Sequence, residues 1–177
     1  MEQKMHTPEG VRDIYNRECE TKIAIQKKLS TVLHLYGYQD IQTPTFEYDD
    51  VFRKEIGSTS TKELYRFFDR EGNILTLRPD ITPSVARAAA TLFETEDFPI
   101  RLCYAGNTFT NHTSYQGRLK ENTQLGAELI GLDSIEADAE MLAMVVDGLK
   151  RTGLKEFQVN IGHVDFIQGL LEATGVG

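Results

Sequence analysis

The sequence predicts an α+β fold, a single domain over residues 1–177 in which helices flank a largely antiparallel sheet. Three observations support this prediction. Apolar residues recur at helical spacing in several long stretches, short alternating stretches lie between turn residues, and no repeat or linker divides the chain. A length of 177 residues is also sufficient to bury a core within one domain.

Four helices are predicted from the helical spacing of apolar residues. They cover residues 13–36, 82–93, from 133 or 134 to 151, and 164–173. Gly37 supplies a stop signal after the first helix, and Thr7 is a possible N-cap before Pro8. Asp133 or Ser134 caps the third helix.

Extended segments are predicted where apolar and polar residues alternate between turn residues. They cover residues 38–44, 65–69, 73–77, 101–109, 123–130 and 157–161. The second and third segments form a hairpin across residues 70–72, and the fourth and fifth pair around a long loop. Residues 46–52 are either extended or helical, and residues 55–62 form a flexible polar loop.

Pro44 is predicted at an edge, a bulge or a strand end, because proline cannot donate a ladder hydrogen bond. An exposed strand edge at this position would suit a contact between subunits.

The composition narrows the possible classes of function. A net charge of −8 argues against broad nonspecific binding to nucleic acid, which depends on clustered Lys and Arg. No apolar run approaches the roughly 20 residues that span a bilayer, and no signal-peptide pattern opens the chain, so we expect a cytoplasmic protein.

Cys19 and Cys103 lie outside any CxxC or Cys/His motif. We therefore expect both to be reduced core residues, and we expect neither a metal nor a cofactor.

A group of polar residues at three strand ends indicates a possible binding site for a small ligand. Because side chains alternate across a strand, Gln124, Gly126 and Glu128 share one face. The tight turn before the second helix delivers Asp80 and Thr82 to the same place. Two carboxylates, an amide and a hydroxyl suit a small ligand with an ammonium or imidazole group, such as a free amino acid. The alternative is that these groups lie on a solvated surface or only cap a helix, and spacing does not decide between the two.

Four stretches, in this order along the chain, resemble the catalytic core of the class II histidyl-tRNA synthetases. They are residues 36–47 (YGYQDIQTPTFE), 78–82 (RPDIT), 104–109 (YAGNTF) and 124–128 (QLGAE). The similarity extends from about residue 7 to the end of the chain. It implies a class II aminoacyl-tRNA synthetase-like fold and a dimer contact through the motif around Pro44.

The resemblance also implies where a ligand binds. In the family, the positions that match Asp80, Thr82, Gln124 and Glu128 hold the amino acid histidine. Asp80 is one methylene shorter than the glutamate usual in the synthetases.

The chain departs from the synthetases in the loop after Phe109. The synthetases have an arginine directly after this phenylalanine, where it grips the ATP α-phosphate, and a glutamate two positions further; here these positions are Thr110 and His112. Threonine cannot supply a planar, permanently charged fork, so adenylation should fail and no catalytic residue is expected. Arg118 keeps positive charge in the loop and is a possible phosphate or loop contact.

A histidine-binding synthetase core without adenylation chemistry resembles the regulatory subunit of ATP phosphoribosyltransferase, and residues 114–120 fit this paralogue better than the synthetase. The resemblance implies a noncatalytic subunit that activates the short-form catalytic subunit and couples it to L-histidine in the first step of histidine biosynthesis. Because both families continue well past Gly177, we expect the chain to be the N-terminal part of a longer protein. Two alternatives remain: a histidyl-tRNA synthetase or a fragment of one, and an unrelated amino-acid-binding or structural module.

Overall fold

The computed structural model describes residues 5–53, 61–112, 117–162 and 164–175. Five α-helices and six strands lie along these residues, and the strands follow one another in pairs between helices, consistent with the predicted α+β class. The helices are α1 (Asn16–Leu35), α2 (Asp50–Arg53), α3 (Thr82–Leu92), α4 (Ile135–Thr152) and α5 (Val164–Thr174). The strands are β1 (Gln39–Asp40), β2 (Phe46–Tyr48), β3 (Arg66–Phe68), β4 (Ile74–Leu77), β5 (Ile100–Phe109) and β6 (Glu121–Ile130).

The strands form two three-stranded sheets, with the orders β1-β5-β6 and β2-β4-β3. β1 runs parallel to β5, and the other pairings are antiparallel, including the predicted hairpin of β3 and β4. The prediction of a largely antiparallel arrangement is therefore confirmed, although the strands divide between two sheets. Pro44 follows β1, which lies at the edge of its sheet.

Two core clusters lie on opposite faces of β5, because successive side chains of this strand point to opposite sides. On one face Leu102 and Tyr104 pack against Ile81 and Val85 at the start of α3. On the other face Cys103 packs against α1 and α4. The central strand therefore fixes the start of α3 relative to β6, and the candidate site lies between these two elements.

The first helix begins later than predicted and is less buried. It starts at Asn16, and the residues around Pro8 form a turn instead of a helix start, so the N-cap predicted at Thr7 is wrong. Only the C-terminal part of α1 packs in the core, where Val32 is 1% exposed, whereas Ile23 is 61% exposed. Cys19 lies on this less covered half and is only partly buried, so the prediction of a core position holds for Cys103 and is wrong for Cys19.

The predicted strand over residues 157–161 is wrong. Phe157, Val159 and Ile161 do alternate with polar residues, but the segment forms no ladder. A strand requires a neighbour to accept its backbone hydrogen bonds, and no strand among the described residues lies beside this one. Alternation alone therefore predicted an element that the described residues do not form.

The remaining local predictions have mixed outcomes. Residues 46–52 contain both predicted forms, since β2 is followed directly by the single turn of α2. Ser134 is the N-cap of α4 and accepts a hydrogen bond from the Ala137 N–H. The polar loop predicted over residues 55–62 falls mostly outside the described residues. Among the described residues, no helix is long and apolar enough to cross a membrane.

Candidate ligand-binding site

The four polar side chains that sequence reasoning grouped together do meet, between the start of α3 and the middle of β6. Gln124 Nε2 donates to Asp80 Oδ1 at 2.8 Å, and Thr82 Oγ1 donates to Glu128 Oε1 at 2.8 Å. All four residues are partly buried. The group is therefore a connected hydrogen-bonded cluster and not a set of separate surface side chains.

Asp80 precedes α3 and belongs to the cluster. Its Oδ1 accepts hydrogen bonds from the backbone N–H of Ile81 at 2.6 Å and of Thr82 at 3.4 Å, in addition to the Gln124 amide. Gln124 Oε1 also accepts from the Ile81 N–H, at 3.2 Å. The helix-capping alternative is therefore wrong in its strict form, since the N-cap of α3 is Ile81 and no side chain caps it. The bonds from the Ile81 and Thr82 N–H groups nevertheless hold the Asp80 carboxylate in place.

Tyr104 is a member of the cluster that sequence reasoning missed. Its hydroxyl donates to Glu128 Oε1 at 3.0 Å and lies 3.3 Å from Thr82 Oγ1. Burial, reinforced by the nearby Glu128 carboxylate, raises the pKa of Tyr104, so the phenol stays protonated and remains a donor at neutral pH. The signal for this residue is the register of β5 and β6, which places Tyr104 opposite Gly126.

Gly126 makes space for Tyr104. A glycine within a strand often marks a close approach by a ligand or another backbone. In the structure, a Cβ added at Gly126 would lie 2.5 Å from the Tyr104 hydroxyl oxygen. The group that approaches Gly126 is therefore an aromatic side chain that supports the site.

Replacing Gly126 with alanine should force the Tyr104 ring away from Glu128. We expect the variant to lose about 1–3 kcal/mol of unfolding free energy, the usual cost of overpacking. Gly162→Ala is the matched control, because a Cβ at Gly162 meets nothing within 4 Å. Thermal denaturation of both variants measures the difference, and equal melting temperatures would show that Tyr104 is not held against Gly126.

The cluster carries two carboxylates that have no countercharge among the described residues. Neither Asp80 nor Glu128 forms an ion pair there. Each uses one oxygen within the cluster, which leaves Asp80 Oδ2 and Glu128 Oε2 without a hydrogen bond from the described residues. A partly buried, uncompensated negative site of this kind is suited to a cationic or N–H-rich ligand.

Arg78 connects the site to the segment after β1. It is 8% exposed, and its guanidinium donates to the backbone carbonyls of Asn107 at 2.8 Å, Thr43 at 2.9 Å and Pro44 at 3.2 Å. Burial lowers the pKa of Arg78 from its ordinary value. Because Asp80 follows two residues later, this arginine fixes the site relative to the segment around Pro44.

The loop residues singled out by the sequence follow the end of β5 and form no hydrogen bond with the cluster among the described residues. The Thr110 N–H donates to the Lys120 carbonyl at 2.9 Å, and Phe109 N–H donates to the Arg78 carbonyl at 2.9 Å. His112 is partly buried, and its Nε2 has no hydrogen-bond partner among the described residues. Arg118 is exposed and forms no hydrogen bond with the cluster in the part of the loop that is described.

Comparison with known proteins supports the predicted resemblance. Curated ATP phosphoribosyltransferase regulatory subunits from Acetivibrio thermocellus and Ruminiclostridium cellulolyticum are 43% and 45% identical to the chain. The matches cover 99% and 97% of the chain, but 42% and 41% of the relatives. The chain therefore spans less than half of the length of these relatives.

Solved structures support the same fold. A structure from Bacillus halodurans, described as an ATP phosphoribosyltransferase regulatory subunit/histidyl-tRNA synthetase, matches with a TM-score of 0.86 at 37% identity. The match covers 97% of the present chain and 44% of the Bacillus halodurans chain. The structure of a histidine–tRNA ligase subunit from Alicyclobacillus acidocaldarius matches with a TM-score of 0.82 at 27% identity. This match covers 100% of the present chain and 51% of the ligase chain. The class II synthetase-like fold is thereby confirmed. A family model described as histidyl-tRNA synthetase matches residues 10–177, and the chain belongs to this family.

Proposed function

We propose that the protein containing this chain is a regulatory subunit of ATP phosphoribosyltransferase and that it does not itself catalyse a reaction. In this role it is required for the activity of the short-form catalytic subunit and for histidine feedback control in the first step of L-histidine biosynthesis. The observation that carries the proposal is a connected polar cluster, suited to an amino acid, in a chain whose phosphate-gripping position is Thr110. The names of the curated relatives support the same role.

The proposed ligand of the cluster is L-histidine. The free Asp80 Oδ2 and the neighbouring Gln124 amide suit the α-ammonium end of the amino acid, since an ammonium is a strong donor to a carboxylate. Glu128 Oε2 suits an imidazole N–H, because Thr82 and Tyr104 hold the other oxygen of this carboxylate. Asp80 Oδ2 and Glu128 Oε2 would thus accept hydrogen bonds from the two ends of the ligand. This arrangement would favour histidine over amino acids with an apolar side chain.

The loop argues against adenylation. Activation of an amino acid by ATP requires positive charge at the transferring phosphate, and loss of one preorganised donor costs about 10²–10³ in rate. Thr110 is a neutral residue at the matching position, and Arg118 is exposed. We infer that the site retains amino-acid binding without a competent phosphate clamp.

We also propose that the protein dimerises through the segment around Pro44 and that it binds the short-form catalytic subunit. β1 lies at the edge of its sheet and pairs with β5 on one side. Its other side can accept a strand from a second chain. Arg78 fastens this segment to the turn that carries Asp80. A change at the ligand cluster would therefore reach the proposed subunit contact through one buried side chain.

The proposal is tested by reconstitution. A short-form catalytic subunit is assayed for phosphoribosyl transfer from phosphoribosyl pyrophosphate to ATP, with and without the full-length protein. We expect activity only with both proteins and a complex of the two on size-exclusion chromatography. A folded protein that neither binds nor activates the catalytic subunit would contradict the proposal.

The alternative function is that of a histidyl-tRNA synthetase or a fragment of one, in keeping with the descriptions of the family model and of one solved relative. It predicts histidine-dependent exchange between ATP and pyrophosphate. We expect no exchange above background, because Thr110 cannot supply the charge that this reaction requires. Exchange at a rate typical of a synthetase would reverse the order of the two candidates.

A further inference from the structure

Three side chains with metal-binding chemistry meet at the junction of α1, β1 and β5. His34 lies in the last turn of α1, and the sheet register places Asp40 of β1 opposite Cys103 of β5. His34 Nε2 is 3.0 Å from Asp40 Oδ2, and Cys103 Sγ is 3.5 Å from Asp40 Oδ1. One candidate ligand atom from each residue lies within 4.8 Å of the other two. Sequence spacing did not reveal this group, because its members come from three separate elements.

We propose that His34, Asp40 and Cys103 form a zinc-binding site on the face of the sheet opposite the ligand cluster. An imidazole nitrogen, a carboxylate oxygen and a thiolate sulfur are the ligand types that Zn²⁺ takes in proteins. Tetrahedral zinc, with bonds of about 2.0–2.3 Å, holds its ligand atoms roughly 3.3–3.8 Å apart. Because the widest separation is within 4.8 Å, the ligand atoms must approach one another by at most about 1.5 Å.

The environment of the three residues permits this closure. Cys103 is 1% exposed and is fixed by the core, whereas the side chains of His34 and Asp40 are 47% and 70% exposed. The two exposed side chains can rotate toward the sulfur, and a cation can enter from the solvent side. Three protein ligands leave a fourth position open for water or for a group from another molecule.

No described cation already compensates the charge of Asp40. Its ion pair within the described residues is with His34, which is charged only when protonated, and no lysine or arginine there pairs with it. A simple His34–Asp40 surface pair would not require a thiol on the second carboxylate oxygen. The Cys103 thiol, which donates to Asp40 Oδ1, adds a ligand type that an ordinary ion pair lacks, and a bound divalent cation would deprotonate it.

Cobalt substitution tests the proposal without any assay of function. The full-length protein, freed of metal with a chelator, is titrated with Co²⁺, and absorption spectra are recorded before and after addition of Zn²⁺. We expect a thiolate-to-cobalt charge-transfer band and the intense visible bands of four-coordinate cobalt, both lost when zinc displaces it. Cys103→Ser should abolish the charge-transfer band, and Cys19→Ser, the matched control, should retain it.

Because Cys103 is buried, its substitution can also disturb the fold. The zinc affinity of two further variants, both at exposed residues, provides a test that does not depend on Cys103. Asp40→Asn and His34→Gln alter exposed side chains, so both should fold like the wild type by circular dichroism. Each should weaken zinc binding by more than about tenfold, because even residues that only support a metal ligand contribute about 10–100-fold. A folded wild type without the charge-transfer band, a band that survives in Cys103→Ser, or unchanged zinc affinity in both exposed-residue variants would overturn the proposal.

Discussion

Replacing Glu128 with glutamine should weaken the binding of L-histidine to the full-length protein by about 10- to 150-fold. This range corresponds to the roughly 1.5–3 kcal/mol that a hydrogen bond to a charged group contributes. The glutamine oxygen can still accept hydrogen bonds from Thr82 and Tyr104, which hold Glu128 Oε1 in the wild type. The variant should therefore remain folded while it loses the charge proposed to face the imidazole. Isothermal titration calorimetry measures the effect.

Glu136→Gln is the matched control for this prediction. Glu136 is exposed in the first turn of α4, so the same chemical change there should leave histidine affinity unaltered. If Glu128→Gln binds histidine as tightly as the control, the cluster is not the histidine pocket. The prediction then fails even if the protein activates a catalytic subunit.

Replacing Arg78 with methionine should lower the unfolding free energy by about 2–4 kcal/mol. The substitution keeps an apolar stem of similar length but removes the donors for the carbonyls of Thr43, Pro44 and Asn107. Each buried acceptor left without a partner costs about 1–3 kcal/mol, reduced where water can reach it. Chemical denaturation of the variant and of the wild type measures the loss.

Arg70→Met is the control for Arg78→Met, because Arg70 is exposed in the turn between β3 and β4. We expect this control to change the unfolding free energy by less than about 0.5 kcal/mol. The same two variants also address the coupling proposed between the ligand cluster and the segment around Pro44. If Arg78→Met is as stable as Arg70→Met, the hydrogen bonds of Arg78 do not join these two parts of the molecule.

Local patterns predicted the elements and most of the site because the relevant information lies within short stretches. The alternation of Gln124, Gly126 and Glu128 placed them on one face without knowledge of the fold. The turn before Thr82 placed Asp80 near the start of a helix, where it does lie. These predictions required only the periodicity of a strand and the geometry of a helix start.

The features that sequence analysis missed depend on which strands are neighbours. Tyr104 reaches Glu128 because the register of β5 and β6 sets Tyr104 beside Gly126, and one sequence does not reveal that register. Cys103 meets Asp40 through the parallel pairing of β1 with β5. The failed strand at residues 157–161 has the same cause, since its alternation was read correctly but no described strand pairs with it.

As the proposed regulatory subunit, this protein supplies histidine-sensitive activation to a catalytic subunit. This role is tested by the rate of phosphoribosyl transfer to ATP by a short-form catalytic subunit combined with the full-length protein, across a titration of L-histidine. We expect activity that depends on the added protein and falls as histidine rises. Activity that is absent in a mixture of folded proteins, or that histidine does not change, would contradict it.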